Sequence, residues 1–400
     1  MERPLKPISR WLGAFAALSI AVAACGPAAT SPAPGTPGTG TPAPGDTPDG
    51  QIGGTVSVIG VWAGDEEQSF LAMVEPFEQE TGIDVQYTGT RDLEAVLTTG
   101  IASGTVQDLA GLPGPGQMQQ WARDGHLIDL NTVLDAEQYR ATTSEAFVEL
   151  GTVDDELVGT FIKSTAKGFM WFNTEQFSAD SAPATWDELV AMASDPAEQK
   201  FCVAFESQAD SGWPGTDWIE DFVLRQSGPD VYDRWITNEV KWTDPEIQQA
   251  FETFRDDVLP NSFGGSQFIN NTAFQQGGNP LFTDPPGCLL HHQASFITAM
   301  FEEEAGVEAA QYDFFPFPDV NPEYAGSIIG AGDLFGMFKD TPQSRALMQY
   351  LVTAEAQQIW VDRGGALSAN LDVTQYPDET SSRLAELLRD AQTFRFDAAT

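Results

Sequence analysis

The sequence predicts an α/β protein whose body is divided into two lobes with a cleft between them, and three observations carry that expectation. Between residues 53 and 125, β-branched runs alternate with amphipathic helical stretches, the rhythm of a parallel sheet with helices on its faces. Two extended, glycine-softened stretches, GTFIKSTAKGFMWF at 159–172 and IIGAGDLFGMF at 328–338, are long enough to leave one lobe and enter another. The body from 51 to 400 is long enough for two cores and contains no further apolar run of membrane length.

Residues 1–25 read as an export signal. Arg3, Lys6 and Arg10 precede an apolar run over 11–24 that closes on small residues. The run is shorter than the roughly 20 apolar residues a spanning helix requires. Its ending, Val22-Ala23-Ala24-Cys25-Gly26, resembles a bacterial lipobox with Val22 where Leu is commoner. That resemblance implies a lipidated Cys25 and an exported protein anchored at the outer face of the cell membrane. Residues 26–51 are almost entirely Pro, Ala, Gly, Thr and Asp, which bury no core, so they are expected to be a tether.

In the body, residues 55–62 form a first strand, and Asp65-Glu66-Glu67-Gln68 reads as a capping box opening a helix. Phe70, Met73, Val74 and Phe77 are its buried stripe and Gly82 its end. A strand over 83–88 leads to a helix opened by Asp92 with Leu93, Val96, Leu97 and Ile101 on one face. A third strand over 108–112 turns through Pro113-Gly114-Pro115-Gly116 into a helix ending at Gly125. After the first crossing, Thr185-Trp186-Asp187-Glu188 caps a helix to about Ser194, and Asp244-Pro245 starts another with Ile247, Phe251, Phe254 and Val258 inward. Residues 263–287 read as a long loop and 288–296 as a strand. After the second crossing, Thr341 and Thr353 cap two helices, a third spans 380–391, and TFRFD follows at 393–397.

In open parallel sheets ligands bind beyond the carboxyl ends of the strands. Those ends carry Trp62-Ala63-Gly64-Asp65, Thr90-Arg91-Asp92 and Pro113-Gly114; taken singly, Asp65 and Asp92 suit helix caps better, and Arg91 with Asp92 equally suits a surface ion pair. Residues 201–222, FCVAFESQADSGWPGTDWIEDF, place Trp213 and Trp218 among Glu206, Asp210, Asp217, Glu220 and Asp221. Aromatic faces beside ionised carboxylates suit a sugar, whose CH-rich face stacks on an indole while its hydroxyls donate to the acids. The plainer alternative is a helix starting at Asp217 with Trp218 and Phe222 on a core-facing stripe.

Charge and cysteine usage narrow the partners. With 59 acidic against 19 basic residues the formal net charge is −40, which argues against nucleic acid. Beyond Cys25 there remain Cys202 and Cys288, an even pair in an exported chain, which predicts a disulfide over two buried thiols. No metal or cofactor is expected. His291 and His292 near Glu302, Glu303 and Glu304 lie adjacent on a strand and so point to opposite faces.

The tethered start, the opening VSVIGVWAGDEE and the blocks SGWPGTDWIEDFVLRQSGPDVYDRW, FTDPPGCLLHH, YDFFPFP, GAGDLFGMF and TFRFDA resemble the family 1 extracellular solute-binding proteins, above all the α-glucoside type that serves ABC importers. The resemblance implies a two-lobed periplasmic-binding-protein fold with an interlobe ligand cleft. It also implies a bound carbohydrate and delivery to ABC permease subunits. Lobe one would comprise 52–163 and 332–368, and lobe two 164–331 and 369–400; relatives of this type continue past the TFRFDA block with a further C-terminal segment, a departure that bears on the integrity of the second lobe. Carried over block by block, the ligand-binding candidates are Trp62, Asp65, Glu66, Arg91, Asp92, Trp171, Trp213, Trp218, Asp333 and Arg363. An exported glycoside-processing enzyme is the rival, since paired carboxylates and aromatic platforms also describe glycosidases, but no acid has a recognisable catalytic context and no nucleophile elbow occurs.

Overall fold

The structure is a computed structural model that describes residues 51–397 apart from 113, 194–200 and 392. Cys25, the export segment and all of the expected tether except Gln51 therefore lie outside the described residues, as do Pro113 and the expected helix end at Ser194. Among the described residues no helix is long and apolar enough to cross a membrane.

The first sheet grows from the strand Gly54–Gly60, which pairs in parallel with Ile83–Gly89 on one side and Leu109–Gly111 on the other. That is the pattern the strand-helix rhythm predicts. The helix Asp65–Thr81 buries Phe70, Met73, Val74 and Phe77, and ends where Gly82 turns left-handed at φ 69°. The expected capping box is absent: Gly64 is the N-cap and no side chain satisfies the first-turn N–H groups. In the helix Leu93–Ser103, Leu93 and Leu97 are buried, but Val96, expected on the same face, is 37% exposed and lies outside the buried stripe.

The second sheet has the order Tyr312–Pro316, Phe169–Asn173, Leu290–Gln293, Phe201–Cys202. Against it the helix Trp213–Ser227 packs Trp218, Phe222 and Val223. This helix starts earlier than its sequence suggests, after Gly212 at φ 112°, so Asp217 lies within it rather than capping it. Thr185 and Glu188 exchange hydrogen bonds of 3.3 Å in the predicted capping box. A disulfide joins Cys202 to Cys288, with Cα atoms 5.6 Å apart. Two expectations change here: residues 263–287 contain the helix Gly265–Asn271, and the strand over 288–296 contracts to Leu290–Gln293. Phe251 is 43% exposed, because Ala250 takes the inward place beside Ile247 on the helix Pro245–Thr253; a π turn at Phe254–Val258 follows.

Two antiparallel strands, Thr160–Lys167 and Ser327–Met337, cross between the lobes, paired from Thr160 with Phe335 to Lys167 with Ile329 and irregular between Asp333 and Leu334. Ile162 and Phe335 enter the first core, whereas Ile329 and Ala166 enter the cores of the second lobe. Gly168 then turns the chain into Phe169–Asn173 at φ 76°, where a β-carbon would lie 2.5 Å from the Asp221 carboxylate. Only glycine fits that corner. The final return comes later than expected, since Asn370 and Leu371 still hydrogen-bond to Val352 and Thr142 of the first lobe.

Every residue of Thr160–Lys167 is buried, including two lysines. Lys163 donates to Glu66 at 2.8 Å, faces Asp333 at 3.5 Å, and lies 4.8 Å from the Trp360 ring centre. Lys167 donates to Asp217 at 2.9 Å and to Asp397, 5.5 Å from the ring centre of Trp213. Burial works against both ammonium charges, but the paired carboxylates hold each lysine above its ordinary range. Around Lys167 three acids, Asp217, Glu220 and Asp397, meet one cation. Burial, only partly offset by Lys167, pushes Asp217 up to about 7, and burial with Asp397 raises Glu220 well above the usual carboxylate range.

Two outcomes follow for stability. Removing the Lys163 charge as Lys163→Met strands Glu66 and Asp333 without their cation, and should cost about 3 kcal/mol, toward the low end for breaking a buried pair. An unchanged urea midpoint would count against this. Because folding raises the Asp217 pKa from the ordinary 3.8 of an aspartate to about 7, its contribution is complete below the unfolded pKa and is lost as pH rises through about 7. Wild type should therefore lose stability relative to Asp217→Asn across that window, whereas parallel pH profiles would remove Asp217 as the cause.

Candidate functional site

A cavity of about 320 Å³ lies between the lobes. The first lobe supplies Ala63, Gly64, Asp65, Glu66 and Arg91; the second supplies Glu206, Ser207 and Gln208, then Ala273, Gln275 and Gln276, then Ala299, Met300, Glu303 and Glu304. Each group sits where a regular element begins or bends. Asp65 and Glu66 open the helix Asp65–Thr81, Arg91 follows the strand Ile83–Gly89, and Glu303 and Glu304 lie on the π turn Phe301–Ala305.

The walls are close. The Arg91 guanidinium lies 5.4 Å from the ring centre of Phe274 in the opposite lobe, and a β-carbon on Gly64 would come within 4.0 Å of the Glu303 carboxylate. Behind the first wall, Lys163 holds Glu66, and Glu66 in turn faces Arg91 at 3.9 Å. Arg363 lies 3.5 Å from Asp65 and donates to Ser69 at 2.9 Å. Burial, with a contribution from Asp65 across the cavity and from Glu304 beside it, raises the Glu303 carboxyl. Asp333 is raised by burial and held back by Lys163.

Of the residues expected to bind ligand, Asp65, Glu66 and Arg91 line the cavity. Asp333 and Arg363 stand behind that wall through their ion pairs, and Asp92 is exposed outside it. The tryptophans require correction. Trp62 is buried among Phe70, Tyr87, Phe335 and Trp360; it follows an interior strand of the first sheet and is drawn into that lobe's core. Trp171 occupies a strand flanked on both sides, is fully buried, and donates its indole N–H to Gln293 O at 3.0 Å. Trp218 lies on the core-facing stripe of its helix, with its ring centre 4.2 Å from His292. None of the three presents a face to the cavity. Trp213 is half-buried and packs edge-on against Phe274 at 4.9 Å, between the cavity-lining Ala273 and Gln275.

Lys163 escaped the sequence reading, although a lone charge inside the apolar run TFIKSTA was its signal. The glutamines at 208, 275 and 276 carry no local signal, because they reach the cavity only through tertiary folding. Chemically the cavity is rich in acceptors on both walls, with Arg91, Ser207 and the glutamine amides as donors. It is suited to hold a polar solute between two bodies.

Residues 63–358 match the bacterial extracellular solute-binding protein family. The osmoprotective compounds-binding protein GgtB of Synechocystis sp. is 35% identical, covering 86% of this chain and 83% of its own. The alpha-glucosides-binding periplasmic protein AglE of Rhizobium meliloti is 31% identical, covering 87% and 79%. Among solved structures, the bacterial solute receptor AcbH superposes with a TM-score of 0.72 at 18% identity, covering 87% of this chain and 89% of that one. Maltose-bound MalE3 of T. maritima superposes with a TM-score of 0.68 at 18% identity, covering 86% and 89%. The fold is thus the mixed α/β solute-binding-protein fold. The chain belongs to the bacterial extracellular solute-binding protein family, and is a non-enzymatic extracellular or periplasmic protein that binds a small solute for an ABC transporter.

Proposed function

We propose that the interlobe cavity takes a small, hydroxyl-rich carbohydrate, an α-glucoside of one or two rings, and that the two lobes close on it before delivery to the permease. The observation that carries this reading is the cavity itself, with acceptors on both walls and a volume of about 320 Å³. Ligand pockets span roughly 300–1,000 Å³, so this one favours a short ligand over a long chain. The names of two relatives, one an alpha-glucosides-binding and one an osmoprotective compounds-binding protein, suit a small glucoside that serves as a compatible solute. A ligand touching both walls stabilises the closed arrangement by its differential affinity for it. Asp65 and Glu66 accept hydroxyl hydrogen bonds, Arg91 donates, and Asp333, Arg363 and Lys163 hold these groups in place. Trp213 acts through Phe274.

Calorimetric titration with short α-glucosides tests the reading. Glu206→Ala should weaken binding by roughly 1.5–3 kcal/mol, the range for a hydrogen bond to a charged group, with little change in unliganded stability. Failure of every sugar to bind wild type would overturn it.

The body is further proposed to hang from the membrane by a lipid on Cys25, since a basic, apolar and small-residue order precedes that cysteine and a Pro/Gly/Thr tether follows it. Cys25→Ser should release the protein from the membrane fraction or leave its precursor uncleaved. Normal processing and retention would refute the anchor.

A further inference from the structure

The charge of the cavity goes beyond its hydrogen-bonding capacity. Five carboxylates, Asp65, Glu66, Glu206, Glu303 and Glu304, line it against a single cation, Arg91. They come from both lobes, so approach of the walls concentrates negative charge around whatever lies between them. Asp65 and Glu304 both help to raise the Glu303 carboxyl, after burial, which places the two walls within each other's field.

Two features here would ordinarily attract an anion, and both are already answered. The first-turn N–H groups of the helix Asp65–Thr81 have no side-chain cap, and such a helix start favours a bound anion. Asp65, Glu66 and Glu67 occupy that same turn and set their own charge against the helix dipole. Arg91 lies 3.9 Å from Glu66 and over the Phe274 ring, so its charge is engaged by the chain's own groups. Glu66 is in turn paired with Lys163 at 2.8 Å, and Asp65 with Arg363 at 3.5 Å, both approached from behind the wall. On the opposite wall Glu304 accepts from the Gln276 amide and Glu206 from the Gln208 backbone N–H, neither of which neutralises a charge.

Resting on the carbohydrate reading above, we propose that the cavity is a charge filter. It admits neutral polyhydroxylated solutes and those carrying an amine, and rejects analogues bearing a carboxylate or phosphate. Desolvating an anion among unneutralised carboxylates carries a repulsion that hydroxyl contacts do not offset, whereas an ammonium meets acceptors on both sides. Glu206, Glu303 and Glu304 are the specificity-determining residues, because among the described residues no cation approaches them from behind as one does Asp65 and Glu66.

Sucrose, trehalose and maltose are titrated first into the full body, and each that binds is compared with two analogues. In one, a single C6 hydroxymethyl is oxidised to a carboxylate, with each ring tested in turn; in the other it carries an amine. The carboxylate should bind at least tenfold more weakly than its parent at one or both positions, and the amine at least as well as the carboxylate's parent. In Glu303→Gln/Glu304→Gln the ratio between neutral and carboxylate affinities should narrow at least threefold, a readout that simple loss of folding would not produce. A carboxylate within tenfold of its parent at both positions, or a ratio unchanged in the double variant, overturns the filter while leaving the carbohydrate reading intact. Absence of binding by all three parent sugars overturns that reading and the filter with it.

Discussion

The structure depends on how two buried lysines on one strand are neutralised. Lys163 and Lys167 sit on the same face of Thr160–Lys167, four residues apart and thus roughly 13 Å along the strand. Neither charge can remain in a dry strand unpaired, because desolvating an ammonium costs several kcal/mol even after relaxation. The first is answered by Glu66 from the opening helix and Asp333 from the companion crossing strand. The second is answered by Asp217 from the second-lobe helix and Asp397 from just beyond the last strand. Each lobe is therefore tied electrostatically to the strand that connects them, and each lysine lies beside an indole, where cation–π attraction adds to the pairing.

This arrangement joins hinge to ligand wall. Glu66 has one carboxylate oxygen on Lys163 in the crossing strand and the other toward Arg91, and both Glu66 and Arg91 line the cavity. Asp333, the second partner of Lys163, sits where the pairing of the two crossing strands loses its regular register. The same ammonium that meets Asp333 there also holds the Glu66 carboxylate. The cavity wall and the two crossing strands are thus joined through one ammonium group, without a long chain of intermediates.

Much of this fold was legible because it follows from periodicity and caps. The parallel strands, the stripe from Phe70 to Phe77, the Thr341 and Thr353 caps and both crossings are local patterns, and local chemistry sets them. The site was legible only at strand ends, where topology rather than composition places Asp65, Glu66 and Arg91. Lys163 was missed because its partners lie 97 and 170 residues away, and a spacing argument cannot see them. Asp217 was misread for the same reason: Asp before Trp suits a cap, but the buried Lys167 gives that carboxylate a stronger reason to be where it is.

The tryptophans show what composition cannot decide. A tryptophan beside acids suits both a sugar platform and a core edge, and the distinction lies in what covers its faces. Trp218 sits at a core-facing position of its helix, Trp171 in an interior strand, and Trp62 against the Phe335 ring at 5.5 Å; each has its indole enclosed by its own lobe. The acids beside Trp218 are there for Lys167 and Arg225, buried cations of the same lobe. The cavity is lined instead by carboxylates, amides and Arg91 interspersed with small apolar groups such as Ala273 and Ala299, with its aromatic neighbours Phe274 and Trp213 beside them. Recognition in such a site rests on the direction of hydrogen bonds and the sign of charge, whereas a stacking platform would accept any ring with a CH-rich face. A small, acceptor-lined cavity discriminates by what a solute can donate, which is a narrower test than shape alone.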